Sequence, residues 1–174
     1  MTKLKTKFVY VWIINYYLMQ SELLKNKDFK HDARIINSED TYSVRHPVLR
    51  AGKPIESCIF EGDELETTIH LGLFLNDKLI GVSTFLKKNN SLLSDSGQYQ
   101  LRGMAILKEF QGYGFGKIIL EHGELILKNK KVKTIWCNAR EVAVNFYKKT
   151  GYQTIGKPFD IKDIGKHFIM YKHP

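Results

Sequence analysis

The sequence predicts a single α/β domain whose elements follow one another as a strand and a helix, three strands, a helix, a strand, a helix and two strands. Two stretches carry most of this prediction. β-rich segments at residues 67–75 and 79–87 flank a short polar turn, and farther on a strand leads through closely spaced glycines into a helical pattern. The length of 174 residues suits one domain with one hydrophobic core.

Residues 1–30 stand apart from this pattern. Three lysines precede an apolar run over residues 8–19, which is shorter than the ~20 residues needed to span a bilayer. No small-x-small cleavage site follows, which argues against a secretory signal. Three interpretations remain: an extra packed helix, a membrane-surface anchor, or an extension outside the functional domain. We expect the last, with an extension over 1–30 and the functional domain over 31–174.

The first regular elements after the extension are a strand and a helix. We expect residues 33–36 to form a short strand. Ser38 and its polar neighbours offer caps for a helix that begins near Tyr42, and Pro47 is expected to disturb or end that helix. Residues 51–66 then form a loop with an acidic end.

A β-hairpin follows this loop. Its strands at 67–75 and 79–87 are joined through residues 76–78, which are Asn, Asp and Lys. Residues 88–97 are polar and turn-forming, and a strand at 99–107 then delivers the chain to the glycines.

Gly112, Gly114 and Gly116 separate this strand from a helix. Such a turn points unpaired backbone N–H groups and the positive end of the helix dipole at one spot, which suits a phosphate. Glycine also lets a ligand approach the backbone closely, because it has no Cβ. The predicted apolar face of the helix consists of Phe115, Ile118, Ile119, His122, Leu125 and Ile126.

Three glycine motifs compete for this turn. A dinucleotide-binding G-x-G-x-x-G fails, because its third glycine would fall at Lys117. A P-loop fails because position 111 is Gln and Ile118 replaces the magnesium-binding hydroxyl. The pattern that fits is Q-x-x-G-x-G, with Gln111, Gly114 and Gly116. A helix start that binds no ligand is the alternative.

The last third of the chain predicts a strand, a helix and two more strands. Residues 132–137 have the character of a strand, and a helix over 139–150 would end at Gly151. The predicted apolar face of that helix consists of Ala139, Val142, Ala143, Phe146 and Thr150. The final two strands and the loop between them are expected at residues 152–155, 166–172 and 158–165.

The order of elements over residues 32–172 resembles that of the GNAT superfamily of N-acetyltransferases. Two motifs support the resemblance: the glycine turn at 111–116, and a later segment with Asn138, residues 145–147 and residues 151–152. The resemblance implies an α+β fold with a central mixed sheet, two splayed strands and flanking helices. Within the superfamily, bacterial members carry strings similar to those at residues 100–105 and 136–140.

The resemblance also implies an acyl-CoA site, with acetyl-CoA as co-substrate and no metal. Met104, Ala105 and Ile106 would pair their backbones with the pantetheine arm. Asn138 would stand where the two strands splay apart, and Asn145 belongs to the second CoA-binding segment. The pyrophosphate would be held by the turn residues Gln111, Gly112, Tyr113, Gly114, Phe115 and Gly116.

The resemblance places Tyr147 near the CoA sulfur. On the predicted helix this residue lies at the border of the apolar face, where a ring can pack while its hydroxyl faces a cleft. A thiol has a pKa of ~8.5 and a phenol ~10, so that a tyrosine can protonate the departing thiolate. We therefore predict that Tyr147 is the general acid; a tyrosine that only packs is the alternative.

The general base is not assigned by the sequence. An alkyl ammonium with a pKa of ~10.4 must lose a proton before it attacks a thioester. Many members of the superfamily use a glutamate on or beside the central strands, but the strand at 99–107 has no carboxylate and carries Arg102 instead. The candidates are Glu109, Glu64, Glu66, His70 and His167.

Cysteine chemistry and the nature of the acceptor also stay open. An acyl-enzyme through Cys58 or Cys137 is an alternative, although a lone cysteine is more commonly a small buried hydrophobe. Arg102 is compatible with an acceptor that bears a carboxylate, whereas the acids within residues 61–66 are compatible with a cationic one.

Composition limits the partners. The formal charge of +9 favours a polyanionic partner, and acyl-CoA meets that need as well as nucleic acid does. No arginine-rich or aromatic-basic cluster indicates a nucleic-acid-binding face. The two cysteines lack metal-ligand spacing, so a reduced, cytoplasmic setting without a transmembrane segment is expected.

Together these observations predict an N-acetyltransferase that transfers the acetyl group of acetyl-CoA to an amine of a small molecule or of a protein or peptide. An acyl-CoA-binding sensor without transfer activity is one alternative, because the base is unassigned. A basic protein associated with nucleic acid is the other, less favoured one. The oligomeric state, including a homodimer, stays open.

Overall fold

The computed structural model describes residues 30–162 and 164–174 of the chain. The predicted extension over residues 1–30 falls outside the described residues except for Lys30, so the domain boundary at residue 31 stays a prediction.

The described residues form one sheet of seven strands. The strands are β1 (His31–Ile35), β2 (Ile69–Leu75), β3 (Lys78–Lys87), β4 (Tyr99–Ile106), β5 (Ile135–Arg140), β6 (Gln153–Ile161) and β7 (Gly165–Lys172). Their order across the sheet is β1-β2-β3-β4-β5-β7-β6. β4 and β5 run parallel, whereas β3 and β4 and the pairs β5–β7 and β6–β7 run antiparallel. The predicted mixed sheet is confirmed.

The described helices are α1 (Tyr42–Leu49), α2 (Phe115–Asn129) and α3 (Val144–Lys149). Arg45 of α1 donates to the hydroxyl of Thr84 on β3, while Gly123 of α2 packs against the next residue, Phe85. Because successive side chains of a strand point to opposite faces, α1 and α2 cover opposite faces of the sheet. No helix among the described residues has the length and apolar character to cross a bilayer.

The predicted hairpin is confirmed as β2 and β3. Leu75 pairs with Lys78, and the two residues between them, Asn76 and Asp77, have φ angles of 46° and 64°. Two consecutive residues with positive φ form the tight turn that matches the twist of antiparallel strands, and Asn and Asp tolerate this conformation.

The predicted apolar face of α2 is wrong in part. Leu125 is 54% exposed, and Ile118, His122 and Ile126 are only half-buried. The buried residues are Phe115, Ile119, Leu120, Gly123, Glu124 and Leu127.

A glycine and an acid explain this rotation of the helix. A Cβ at Gly123 would lie 2.2 Å from the ring of Phe85, so that only glycine lets the helix sit this close to the sheet. The carboxylate of Glu124 accepts a hydrogen bond from Nζ of Lys172 on β7 at 2.6 Å, and this ion pair allows Glu124 to be buried. The spacing of apolar residues does not predict that either residue faces inward, because one is a glycine and the other is charged.

The expectation that Pro47 disturbs or ends the first helix is also wrong. α1 runs through Pro47 and ends at Leu49. Proline removes one backbone donor, and this loss is tolerated near the end of a short helix, where Arg50 still donates to the carbonyl of His46 at 3.1 Å.

The boundary between β5 and α3 lies later than predicted. β5 begins at Ile135 and runs to Arg140, and α3 begins at Val144 instead of residue 139. Ala139 therefore belongs to a strand, and Val142, predicted to be on a buried helix face, is 90% exposed. The cause is tertiary, because Asn138 to Arg140 pair with β7 and ladder pairing outweighs the local helical pattern.

The predicted loop at 158–165 is largely strand. β6 continues to Ile161, and β7 begins at Gly165. The register of the pair shifts between Ile155 and Phe159, which accommodates Pro158 in an edge strand. Gly151, the predicted helix end, has the expected positive φ of 93°.

Candidate active site

The central feature of the site is a wedge between β4 and β5. The two strands pair only over Tyr99–Ile135, Gln100–Trp136 and Leu101–Cys137. Beyond these pairs β4 stays joined to β3, and β5 stays joined to β7, so the facing backbones diverge. The predicted splay of two central strands is confirmed.

A bulge in β4 lies where the wedge opens. Val82 pairs with Ala105 and Thr84 with Arg102, so that a single residue of β3 lies opposite two residues of β4. Gly103 has a φ of 58°, and a Cβ there would lie 2.9 Å from Nε of Arg45. Glycine is therefore needed both for the backbone angle and for the space.

The wedge widens into a cleft of about 580 Å³. Its walls come from the loop at 49–61, from residues 100–104 of β4, from residues 137–140 of β5, from Tyr147, and from the turn between β6 and β7. Side chains distant in sequence thus face one space next to the unpaired part of β4.

The glycine turn lies at the far end of β4. Gly112 and Gly114 have φ angles of 85° and 86°, and nothing lies within 4 Å of a Cβ built on either. The backbone N–H groups of Lys117 and Ile118 donate to the carbonyl of Gly114 at 2.9 and 3.2 Å. Among the described residues, these are the first N–H groups of the helix with a backbone hydrogen bond. The N–H groups of residues 112–116 have no backbone partner within the described part of the chain, an arrangement found at helix N-termini that bind anions.

Gln111 braces this turn. Its Nε2 donates to the carbonyl of Ile106, the last residue of β4, at 2.8 Å. A Cβ built on Gly116 would lie in ordinary contact, 3.5 Å from the Phe146 ring and 3.6 Å from Met104, so the start of α2 lies near both α3 and β4. The turn is therefore fastened to the end of β4 by Gln111 and lies next to α3.

Tyr147 is buried instead of lying at a border. The earlier placement assumed a helix from residue 139, which does not exist. Its hydroxyl donates to Sδ of Met104 at 3.7 Å, and burial raises its pKa well above the usual value. Because it also lines the cleft, Tyr147 is a protonated phenol with a weak acceptor beside the unpaired strand.

The two predicted asparagines are placed differently. Asn138 is exposed at the wall of the cleft, on the diverging part of β5. Asn145 is exposed on α3 and does not line the cleft, although the ring of its neighbour Phe146 lies near Gly116.

Of the candidate bases, His167 lines the cleft. It is 4% exposed, and its Nδ1 lies 2.7 Å from the carbonyl of Gly165. Because a carbonyl accepts only, Nδ1 carries the proton, and Nε2 keeps its lone pair. Among the described residues Nε2 has no hydrogen-bond partner.

The other candidates lie outside the cleft. Both ring nitrogens of His70 are engaged, with the Thr84 hydroxyl and the Asp63 carbonyl, each at 2.8 Å. Glu109 pairs with Lys78 on the surface. Glu64 accepts from the Ser38 hydroxyl, and Glu66 is exposed.

The two cysteines do not favour an acyl-enzyme. Cys58 and Cys137 are buried, and burial raises the pKa of both thiols. A thiol with a raised pKa supplies little thiolate, which is the nucleophilic form.

A polar network that sequence reasoning missed lies beside the wall of the cleft that the loop at 49–61 and β4 form. Arg45 is fully buried and pairs with Asp63 at 2.5 Å, and Asp63 also accepts from the N–H of Phe60 at 3.0 Å. Arg102 reaches the same carboxylate at 3.4 Å. No sequence motif predicts this network, because its members come from α1, an irregular loop and β4.

Comparisons with known proteins identify the fold. Residues 33–152 match the acetyltransferase (GNAT) family. The chain is 38% identical over 141 residues to YitI of Bacillus subtilis, described as an uncharacterized N-acetyltransferase; the match covers 81% of this chain and 95% of that protein.

Solved structures share the architecture at low sequence identity. FeeM, an N-acyl amino acid synthase from uncultured soil microbes, superposes with a TM-score of 0.69 at 11% identity, covering 83% of this chain and 91% of FeeM. An aminoglycoside 6'-N-acetyltransferase complexed with coenzyme A gives a TM-score of 0.65 at 12% identity, covering 82% and 96% of the two chains. With a family match over most of its length, this chain belongs to the GNAT family and is an acyl-CoA-dependent N-acetyltransferase.

Proposed function

We propose that the protein transfers the acetyl group of acetyl-CoA to the amine of a small molecule or of a protein or peptide. The observation that carries this proposal is the unpaired segment of β4 beside β5, which leads directly into the glycine turn. The segment supplies a backbone ladder for an extended ligand, and the turn supplies N–H groups for its phosphates.

Acetyl-CoA would lie along β4. Met104, Ala105 and Ile106 would pair with the pantetheine arm, whose amides can complete a strand-like ladder. Asn138, on the opposite wall of the wedge, and Asn145, on the exposed face of α3, would contact the co-substrate from the β5 side. The pyrophosphate would be held by Gln111, Gly112, Tyr113, Gly114, Phe115 and Gly116.

His167 would serve as the general base. The amine nitrogen attacks the thioester carbon, an N–C bond forms, and the proton of the amine passes to Nε2 of His167 directly or through water. The hydrogen bond from Nδ1 to Gly165 holds the tautomer that leaves Nε2 free.

Tyr147 would complete the reaction as the general acid. When the C–S bond breaks, the electron pair stays on sulfur, and the phenol gives its proton to the thiolate. A phenol is already protonated at neutral pH, and burial raises the pKa of Tyr147 further. The proton is easily redirected because its partner Met104 is a weak acceptor, and the phenolate then regains a proton from water.

A thiol-release assay with acetyl-CoA and a panel of amines tests the proposal, with amino acids, polyamines, aminoglycosides and peptides in the panel. We expect at least one class to release CoA with formation of the acetylated amine. Tight binding of acetyl-CoA without release for any amine would contradict catalysis and favour the sensor interpretation.

The fold does not select among these acceptors. The structural neighbours include an enzyme described by its aminoglycoside acceptor and one described as an N-acyl amino acid synthase. The choice therefore depends on the side chains of this chain's own cleft.

A further inference from the structure

The acceptor side of the cleft is organised around the ring of Phe60. The guanidinium carbons of Arg45, Arg50 and Arg102 lie 4.4, 5.1 and 5.1 Å from its centroid. Phe60, Arg50 and Arg102 also line the cleft. Three cations around one aromatic ring are an unusual concentration of charge of a single sign.

Asp63 neutralises only one of these cations. Its carboxylate is almost fully buried and accepts two hydrogen bonds from Arg45 and one from the N–H of Phe60. Arg45 is further held by the carbonyl of Cys58 at 2.9 Å and the hydroxyl of Thr84 at 2.6 Å. Arg45 is therefore held in place and not available to an acceptor, and the Asp63 carboxylate that binds it is shared with one other side chain among the described residues, that of Arg102.

Arg102 is left with unused hydrogen-bonding capacity. Its side chain is 16% exposed, and among the described residues its partner is the shared Asp63 oxygen at 3.4 Å. A guanidinium carries five N–H donors, so most of them are unmatched within the described part of the chain. Arg50 donates to two backbone carbonyls, those of Ser57 and Leu49, and these leave its charge uncompensated.

The charged side chains that line the cleft also indicate an excess of positive charge. Among the residues that the structure describes, Arg50, Arg102 and Arg140 line it together with one carboxylate, that of Glu61, which is exposed. Arg102 shares the Asp63 carboxylate with Arg45, so positive charge exceeds negative charge at this wall. Half-buried positive charge in excess of its counter-ions is costly, and a negatively charged ligand would reduce that cost. A polyamine or another polycation would be repelled.

The phosphates of acetyl-CoA are not this missing anion. Arg102 lies four residues before Ile106 on β4, a distance of about 13 Å at ~3.3 Å per residue. The glycine turn that would bind the pyrophosphate lies beyond Ile106. The arginines therefore face the other end of the cleft, where the acceptor enters.

We propose that the acceptor is a small molecule bearing both an amine and a carboxylate, as an amino acid does, and that Arg102 and Arg50 bind the carboxylate. This inference rests on the proposed acetyl transfer. A planar carboxylate matches the fork of a guanidinium. Apolar walls from Ile59, Ile161 and Ile164 suit an aliphatic side chain. His167 lines the same cleft and would accept the proton of the amine.

The test compares L-leucine with L-leucinamide as acceptors for the full-length protein. The amide keeps the amine and the side chain and lacks the carboxylate. We expect kcat/KM to be about 10- to 150-fold higher for leucine, the range that corresponds to one hydrogen-bonded charge pair of 1.5–3 kcal/mol. The comparison is conservative, because losing the carboxylate makes the ammonium more acidic and gives the amide more free amine.

Arg102→Gln should lower the ratio of kcat/KM for leucine to kcat/KM for leucinamide towards 1, chiefly through a higher KM for leucine. The affinity for acetyl-CoA should stay unchanged. Arg50→Gln should act in the same direction, and Arg102→Lys should fall between wild type and Arg102→Gln because it keeps the charge and loses the fork. Arg34→Gln is the matched control. Arg34 lies over the ring of Phe74 at 3.8 Å and does not line the cleft.

Several outcomes would overturn the inference alone. They are equal or better turnover of leucinamide or of a polyamine, a selectivity ratio that survives Arg102→Gln in a variant with wild-type melting temperature, or a preference for aminoalkyl phosphonates over amino acids. Each of these requires turnover and therefore leaves the proposed acetyl transfer intact.

Binding of N-acetyl-leucine to the protein saturated with CoA separates the two proposals if no amine is turned over. Binding that is lost with N-acetyl-leucinamide and with Arg102→Gln would keep the carboxylate site and contradict the transfer activity. Absence of binding in addition to absence of turnover would contradict both.

Discussion

The two sides of the cleft are built from different parts of the polypeptide. The proposed acyl-CoA side comes from a continuous stretch, the end of β4 and the glycine turn, and presents mainly backbone. The proposed acceptor side comes from Arg50 and Phe60 in the loop at 49–61, from Arg102 on β4 and from His167 on β7, and it presents side chains. A backbone site depends on conformation and tolerates few changes, whereas a side-chain site can be altered one residue at a time.

The strongest test of this difference is Gly114→Asp on the acyl-CoA side. Asp tolerates the left-handed conformation of Gly114 better than most residues do, so the protein should fold. Its carboxylate would occupy the N–H groups meant for phosphate. Loss of two hydrogen bonds to charged oxygens, at ~1.5–3 kcal/mol each, should weaken acetyl-CoA binding more than about 100-fold by calorimetric titration.

Gly97→Asp is the matched control for this variant. Gly97 also has a positive φ, 72°, and open space around a Cβ, but it lies outside the glycine turn. It should leave acetyl-CoA affinity unchanged. Wild-type affinity in folded Gly114→Asp would mean that the turn does not bind the co-substrate.

On the acceptor side, His167→Gln should lower kcat/KM by roughly 100- to 10,000-fold, the usual contribution of a general base. Acetyl-CoA affinity should not change, because the change leaves β4 and the glycine turn intact. His46→Gln on α1, outside the cleft, is the control. If His167→Gln keeps both the rate and the pH profile of the wild type, another group removes the proton.

Tyr147→Phe tests the point where the two sides meet. The variant keeps the ring and removes the proton, so kcat should fall roughly 10- to 1,000-fold, within or just below the range for a general acid. Tyr152→Phe is a matched control, since Tyr152 is also buried, makes an edge-to-face contact with Tyr147 at 5.4 Å between ring centroids and does not line the cleft. A kcat within about twofold of wild type, where chemistry limits turnover, would assign Tyr147 to packing.

The smallest expected effect concerns stability at high pH. Burial raises the pKa of Tyr147 and Tyr152 in the folded protein, while the unfolded chain ionises near ~10. The unfolded state therefore releases protons first, and the free energy of unfolding should fall above pH ~10, by up to ~1.4 kcal/mol per pH unit for each tyrosine.

Denaturant unfolding at pH 9 and at pH 11 measures this loss of stability. In Tyr147→Phe the loss between the two pH values should be smaller than in the wild type, by the share of one tyrosine. An equal loss in both proteins would show that this phenol is not buried against the core. Below pH 9 the two proteins should show the same pH dependence.

The sequence predicts the parts of the molecule that depend on local rules. The hairpin at Asn76 and Asp77, the order of elements and the helix start after Gly114 follow from turn chemistry and periodicity. The start of α3 and the buried face of α2 do not, because pairing with β7 and the close approach of Phe85 to Gly123 decide them. Such contacts join residues that are far apart in sequence.

The same distinction applies to the candidate site. The glycine turn is a short motif, and the sequence points to it directly. His167 appears among five candidates of equal standing, and its position in the cleft distinguishes it. Asp63 and Phe60 carry no pattern at all, because their partners lie on α1 and β4.

The bulge at Gly103 and the short pairing of β4 with β5 leave an open edge in the middle of the sheet. Along the rest of β4, backbone donors and acceptors on one side lack a strand partner among the residues that the structure describes. Such an open edge is the kind of surface that invites strand addition by other chains. The co-substrate would act as the absent strand. We therefore expect acetyl-CoA to protect the protein from aggregation as well as to supply its acetyl group, and saturation at 100 times the dissociation constant should stabilise the fold by about 2.7 kcal/mol.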